Sequence, residues 1–150
     1  MNARGFTLAE IMVVLAIVGA LATLVTPALS SYARTAALQA AARELATSIN
    51  LGRQLAISRN TTVCVEAASL TSIRFRVGGC GGAIWTGPGT DGSGAIKISD
   101  SSALQINTTA NVVFTSLGAA SPAGTYTLTS PAISGTRTVV VGATGRVSVR

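Results

Sequence analysis

A single carboxylate, Glu10, stands at the head of an uncharged stretch that runs from Ile11 to Ala33. A carboxylate in an apolar segment costs about 2.5–3.5 kcal/mol on insertion scales, so one placed there points to a function. Gly5 and Phe6 lie just before it. Cleavage between them would create a new α-amino group on Phe6, one helical turn from Glu10. In a packed bundle, that amine on one subunit can pair with Glu10 of its neighbour. The alternative is that Glu10 only sits at the headgroup level. Two cysteines, Cys64 and Cys80, form the second candidate group. In an oxidising compartment a lone pair of cysteines is most simply a disulfide. It would close a loop of about 17 residues and contribute about 3 kcal/mol.

Other chemistry is excluded by composition. The chain has no histidine, which removes a Ser-His-acid triad and a His-based proton relay. Two thiols without histidine cannot fill a tetrahedral shell, so no metal site is expected. The acids other than Glu10 are Glu44, Glu66, Asp91 and Asp100, and no two are spaced as an acid–base couple. The reading is a protein that is not an enzyme, with no catalytic residues and no cofactor.

The elements that position these residues follow from hydropathy and period. The run Ile11–Ala33 has 23 residues. As a helix it spans roughly 35 Å, enough for a hydrocarbon core of about 30 Å and longer than a signal-peptide apolar region. The cation Arg4 precedes it, which keeps the N-terminus cytoplasmic and sends the rest across. Four segments result: a leader at 1–5, a transmembrane half-helix at 6–33, an amphipathic half-helix at 34–60 and a β-rich exported domain at 61–150. In the second half-helix, Leu38, Ala41, Leu45, Ile49, Gly52 and Ala56 recur every three or four residues as one apolar stripe. The stripe packs on the chain's own sheet or on a partner. Arg43, Glu44, Asn50, Arg53 and Arg59 lie mostly off it.

From Thr61 the period becomes two. TTVCVEA and TSIRFRV alternate, with Ile73, Phe75 and Val77 on one face and Arg74 and Arg76 on the other. AIKIS, ALQIN, NVVFT, TYTLT, RTVVV and RVSV follow, punctuated by Gly, Ser, Pro, Asn and Asp. The fold class is α+β: a long N-terminal helix packed on about seven or eight strands in two small antiparallel sheets. The segment 78–94 is glycine-rich but lacks the Lys-Ser/Thr ending of a phosphate-binding loop and the carboxylates of a calcium loop. It reads as a mobile surface loop tethered by Cys80. Trp85 within it is either an exposed contact residue or tucks back onto the sheet.

The order leader, Gly5, G-F-T-L-x-E and apolar helix resembles the type III signal of type IV prepilins and type II secretion pseudopilins. The resemblance implies cleavage between Gly5 and Phe6 by a prepilin peptidase, methylation of the Phe6 amine, and Glu10 as the assembly residue. Pro27 falls where many such chains carry a helix-bending proline. Two further segments resemble the GspH/FimT family. One is LGRQLAISRNTTVCV, where Arg53, Ala56 and Arg59 keep the family spacing and Gly52 replaces the usual alanine. The other is RTVVVGATGRVSVR, similar to its closing hairpin.

This family resemblance implies a minor pseudopilin or pilin. Its partners would be other minor pilins or pseudopilins, the prepilin peptidase and the bacterial inner membrane. The host is a type II secretion pseudopilus or a type IV pilus. An alternative is a FimT-like minor pilin that holds DNA during natural transformation, a branch whose G-R-x-R motif Arg146 and Arg150 approximate with wider spacing. Loss of Arg4 with the leader takes 11 cations to 10 against 5 acids, a mature net charge of +5. Arg137, Arg146 and Arg150 follow Asp100 with no acid among them, and Arg74 and Arg76 add a basic strand face. Such residues supply phosphate contacts. The terminal carboxylate on Arg150 partly cancels its charge.

Overall fold

The computed structural model describes residues 5, 7–98, 104–131 and 133–150. The expected leader cation Arg4, the residue Phe6, and the ends of two expected strands, Ser99 and Ala103, lie outside them, as does Asp100. Helix α1 spans Leu8–Ser58. Thr7 starts it: the Thr7 hydroxyl accepts the Glu10 backbone N–H at 3.3 Å, so one unpaired donor of the first turn is capped. Asn60 stops it. Asn60 takes a left-handed φ of 49°, the Thr61 N–H reaches back to the Ala56 carbonyl and the Asn60 N–H to the Ile57 carbonyl. That pattern closes the last helical carbonyls with a Schellman turn.

The chain divides into two compact units, one ending at Arg34 and one covering Thr35–Arg150. In the first unit the described large apolar side chains, from Leu8 through Leu21 to Leu29, are all exposed. Among the described residues, no helix is long and apolar enough to cross a membrane. The predicted spanning run includes positions 24–28, whose side chains are not described.

In the second unit the expected stripe is inward. Leu38, Ala41, Leu45, Ile49, Gly52 and Ala56 are all buried, and Ala42 joins them. They meet two antiparallel sheets in one core. The first sheet orders β3 (Ala83–Ile84), β2 (Ser72–Val77), β1 (Val63–Ser69) and β6 (Val112–Phe114), with β4 (Ala95–Lys97) also paired to β2. The second orders β5 (Gln105–Thr108), β7 (Gly124–Ser130), β8 (Ile133–Val141) and β9 (Val147–Val149). Tyr126 joins the two sheets: it is fully buried, and its hydroxyl donates to the Val65 carbonyl at 2.9 Å. Gly52 lets the helix close onto the first sheet, since a Cβ there would lie 3.0 Å from both Phe75 and Val65 side chains.

The glycine-rich segment is a surface segment tethered by Cys80, as expected, and it also builds an edge of the first sheet. It contributes β3, whose Ala83 and Ile84 pair with Val77 and Arg76. The Trp85 N–H bonds the Phe75 carbonyl, and the two rings sit 5.8 Å apart, tilted by 45°. Asp91 then organises the return to β4. Its Oδ1 accepts from the Ser93 hydroxyl, the Ser93 N–H and the Ala95 N–H, and these bonds, the Ser93 hydroxyl first, hold its carboxyl below the usual range. Glycine-rich composition gave no sign of these side-chain and backbone hydrogen bonds.

Candidate assembly site and basic surface

The candidate assembly residue, Glu10, lies in the first turn of the helix. Thr7 caps the first turn and so places Glu10 at its third position, where the positive end of the helix dipole favours a carboxylate. Glu10 is exposed, as is Gly5. Phe6, the expected cleaved and methylated residue, lies outside the described residues. Sequence reasoning passed over Thr7, although Thr-x-x-Glu ahead of an apolar run is the signature of a capped helix start.

Cys64 and Cys80 are bonded, with their Cα atoms 4.9 Å apart. Cys64 is buried on β1 opposite Arg76, and Cys80 lies in the turn after β2. The bridge therefore ties the glycine-rich edge to the middle of the first sheet.

The five arginines proposed for a basic surface do not form one surface. Arg74 and Arg76 are both spent on Glu66, whose Oε1 lies 2.7 Å from Arg74 Nη2 and 2.9 Å from Arg76 Nε. The strand register places Glu66 directly opposite Arg74, so the basic face of β2 carries one net charge rather than two. Arg76 also donates to the Gly82 carbonyl. Arg137 pairs with the buried Leu128 across β7 and β8, so it leans toward the core side of the second sheet. Arg146 and Arg150 flank β9, and Arg150 exchanges both backbone hydrogen bonds with Thr138. Their even spacing puts both on the outer face, opposite in sense to Arg137, and both are exposed.

A sixth arginine matters that charge counting did not single out. Arg53 Nε donates at 2.8 Å to the carbonyl of Gly118, in the turn between β6 and Ala120. Gly118 has φ +82°, and a Cβ there would meet Arg53 Nε and Ile57 Cδ1 at 2.9 Å. Gly145, at φ +79°, packs on the same Gly118 carbonyl so closely that any Cβ would overlap it. The Gly145-Arg146 pair thus has a packing reason for its glycine. The helix end, the β6 turn and the β8–β9 hairpin meet at one carbonyl oxygen.

Residues 1–26 match the prokaryotic N-terminal methylation motif. Among solved structures, the chain is similar to the type IV minor pilin FimU of Pseudomonas aeruginosa. The identity is 16%, the TM-score 0.59, and the match covers 79% of this chain and 92% of that one. It is also similar to the minor pseudopilin EpsH from the type 2 secretion system of Vibrio cholerae, at 11% identity and TM-score 0.58 over 76% and 96% of the two chains. At these identities the likeness is one of fold: a long N-terminal helix on antiparallel sheets, as the sequence pattern predicts. No curated protein sequence matches the chain. Residues 41–145 match the family described as Type II transport protein GspH, and the chain belongs to that family.

Proposed function

We propose that this chain is a minor pilin or pseudopilin subunit. A prepilin peptidase cuts it between Gly5 and Phe6, the Phe6 amine is methylated, and Glu10 draws the subunit into a filament. The observation that carries the reading is the first unit of α1. Its described large apolar side chains are exposed on every side, with the only acid of the helix start at position 10. A helix that is apolar all round needs lipid or other helices around it. Before assembly the inner membrane supplies that environment, with the uncharged run Ile11–Ala33 inserted once and the β-rich domain in the periplasm. In the filament, the apolar segments of neighbouring subunits supply it. Moving from one to the other requires that Glu10 lose no partner, and the Phe6 amine of a neighbour is a matching charge.

The host machine is a type II secretion pseudopilus or a type IV pilus, the two settings named for the similar structures. Glu10→Ala tests the assembly role. The expected result is a mature-sized, membrane-held subunit that is missing from sheared filaments, and normal entry of that variant would refute it. Replacement of Gly5 by leucine is expected to leave uncut precursor in the inner membrane, read on a gel. Loss of secreted enzymes in a deletion strain supports the secretion machine, and loss of surface pili supports the pilus. A DNA-holding role rests on Arg146 and Arg150 alone among the five arginines, because both are exposed on one face of β9. Binding of a labelled duplex to residues 34–150, falling with salt and weakened by Arg146→Ala, would support it.

A further inference from the structure

One edge of the first sheet is made of two separate pieces of chain. β3 and β4 both pair with β2: Ala83 and Ile84 lie against Val77 and Arg76, and Ala95, Ile96 and Lys97 against Arg74, Ile73 and Ser72. The chain leaves the sheet after Trp85, whose N–H still bonds the Phe75 carbonyl. Residues along such a strand direct their hydrogen bonds alternately to either side. Trp85 bonds toward β2, so Ile84 turns its N–H and C=O to the open side, and Ala95 does the same. The two are treated differently. Ala95 is capped on both groups, its N–H donating to Asp91 Oδ1 and its C=O accepting the Asp91 N–H. Ile84 has no such cap, and its N–H and C=O have no partner among the described residues. Natural sheet edges are blunted by charge, proline or cover. Here Ala83 and Ile84 are uncharged and exposed.

A cleft of about 270 Å³ lies at that open residue, lined by Arg59, Val77, Ala83, Ile84 and Trp85. Its walls are fixed. The Trp85 ring packs on Phe75, and the Cys64–Cys80 bridge holds the turn that leads into β3. Arg59 is exposed, and its guanidinium makes no ion pair or hydrogen bond among the described residues. We infer that this edge binds an extended segment of another protein, one carrying an apolar residue and an acid two positions apart. The middle residue of that segment exchanges two backbone hydrogen bonds with Ile84. Side chains alternate along a strand, so its two neighbours point to the face shared by Ala83, Val77 and Trp85. One neighbour is apolar and covers Trp85; the other brings a carboxylate to Arg59. A single cation among apolar residues suits a carboxylate on an apolar chain better than a phosphate backbone, which needs several donors. A second copy of this chain does not supply the segment. Glu10 and Glu44 are helical, Glu66 is held by two arginines, and Asp91 caps its own turn.

Trp85 is the only tryptophan of the chain, so its emission reports on the cleft directly. The full chain in detergent micelles is titrated with two peptides, acetyl-Ser-Leu-Thr-Glu-Ser-amide and acetyl-Ser-Glu-Thr-Leu-Ser-amide, which cover both strand directions. The expected result is a blue shift with one of them, half-saturated at or below about 1 mM. Hydrogen exchange at the Ile84 amide should slow in the same complex. Arg59→Ala should weaken binding about tenfold and Arg59→Lys less, both at unchanged Tm, and a lysine in place of the peptide's glutamate should abolish it. No emission change up to about 10 mM of either peptide would overturn the inference. So would equal binding of the lysine peptides, an Ile84 amide whose exchange does not slow, or binding that Arg59→Ala leaves unchanged. Equally tight binding of sodium octanoate or of a single-stranded oligonucleotide would also overturn it, making the cleft a small-acid or phosphate site. The filament reading is tested apart from this, since entry of Glu10→Ala subunits into filaments bears on that reading and not on the edge.

Discussion

Leu15 and Leu45 lie on one continuous helix, yet Leu15 is 64% exposed and Leu45 is wholly buried. The same residue in the same secondary structure meets two different solvents. Around Leu45 the chain supplies its own apolar environment, with Phe75, Val65, Tyr126 and the rest of a core built from both sheets. Around Leu15 the described residues leave most of the side chain uncovered. The comparison separates helix residues whose apolar side chains stabilise the fold from helix residues whose apolar side chains are left uncovered. A similar contrast holds for polar groups. Glu66 in the second unit is answered by two arginines of its own chain, whereas Glu10 in the first unit makes no ion pair among the described residues.

Substitution of the two leucines tests this directly. Leu45→Ala is expected to cost about 3–4 kcal/mol through lost burial and an unfilled cavity, seen as a large drop in the denaturation midpoint. Leu15→Ala should leave that midpoint unchanged and act only on membrane retention or filament entry. Equal effects on stability would break the distinction. Next in size is Gly145→Ala. The added Cβ overlaps the Gly118 carbonyl and the left-handed backbone is strained, so about 3 kcal/mol of destabilisation is expected, a fall of roughly 10 °C or more in Tm. A variant with native Tm would mean that the helix, turn and hairpin are not joined through that oxygen.

Tyr126 gives a pH test confined to the second unit. Burial raises its hydroxyl from the usual 10 to about 12. The folded state therefore binds the proton more tightly than the unfolded state. Its contribution is complete below pH 10 and is lost as pH rises through 10–12, a change of about 3 kcal/mol over the window. Tyr126→Phe should cost about 1 kcal/mol at neutral pH through the lost bond to Val65 and should flatten that alkaline slope. Urea titrations of both proteins at pH 8 and 11 measure it; parallel curves would show that Tyr126 does not set the alkaline limit. The smallest expected effect is favourable. Thr115 Oγ1 is buried without a hydrogen-bond partner. Thr115→Val removes that oxygen at nearly constant shape and should stabilise by up to about 1 kcal/mol, read as a small rise in Tm.

What the sequence determined by itself is whatever depends on period and on neighbours along the chain. The three-and-four spacing from Leu38 to Ala56 identified the buried helix face apart from Ala42, because a helix fixes which side chains share a side. Alternation located the strands from Thr61 onward, with Ile73 and Phe75 inward. The order Gly5, Phe6, Glu10 and apolar run carries the N-terminal methylation motif that residues 1–26 match, because that motif is local in sequence. What only the tertiary structure decided depends on which strands and turns come together. Glu66 and Arg74 are eight residues apart, and only the hairpin register makes them opposite partners. Arg137 and Arg150 looked alike as charges until the pairing of β8 with β7 and β9 put them on different faces. The glycine-rich edge was invisible to composition because Asp91, Ser93 and Trp85 are held by bonds that no local propensity encodes. The meeting of Arg53 and Gly118 joins residues 65 positions apart, with Gly145 packed on the same carbonyl. Hydropathy and period carry no information about such contacts, because the energy that makes them arises only when separate elements close on one another.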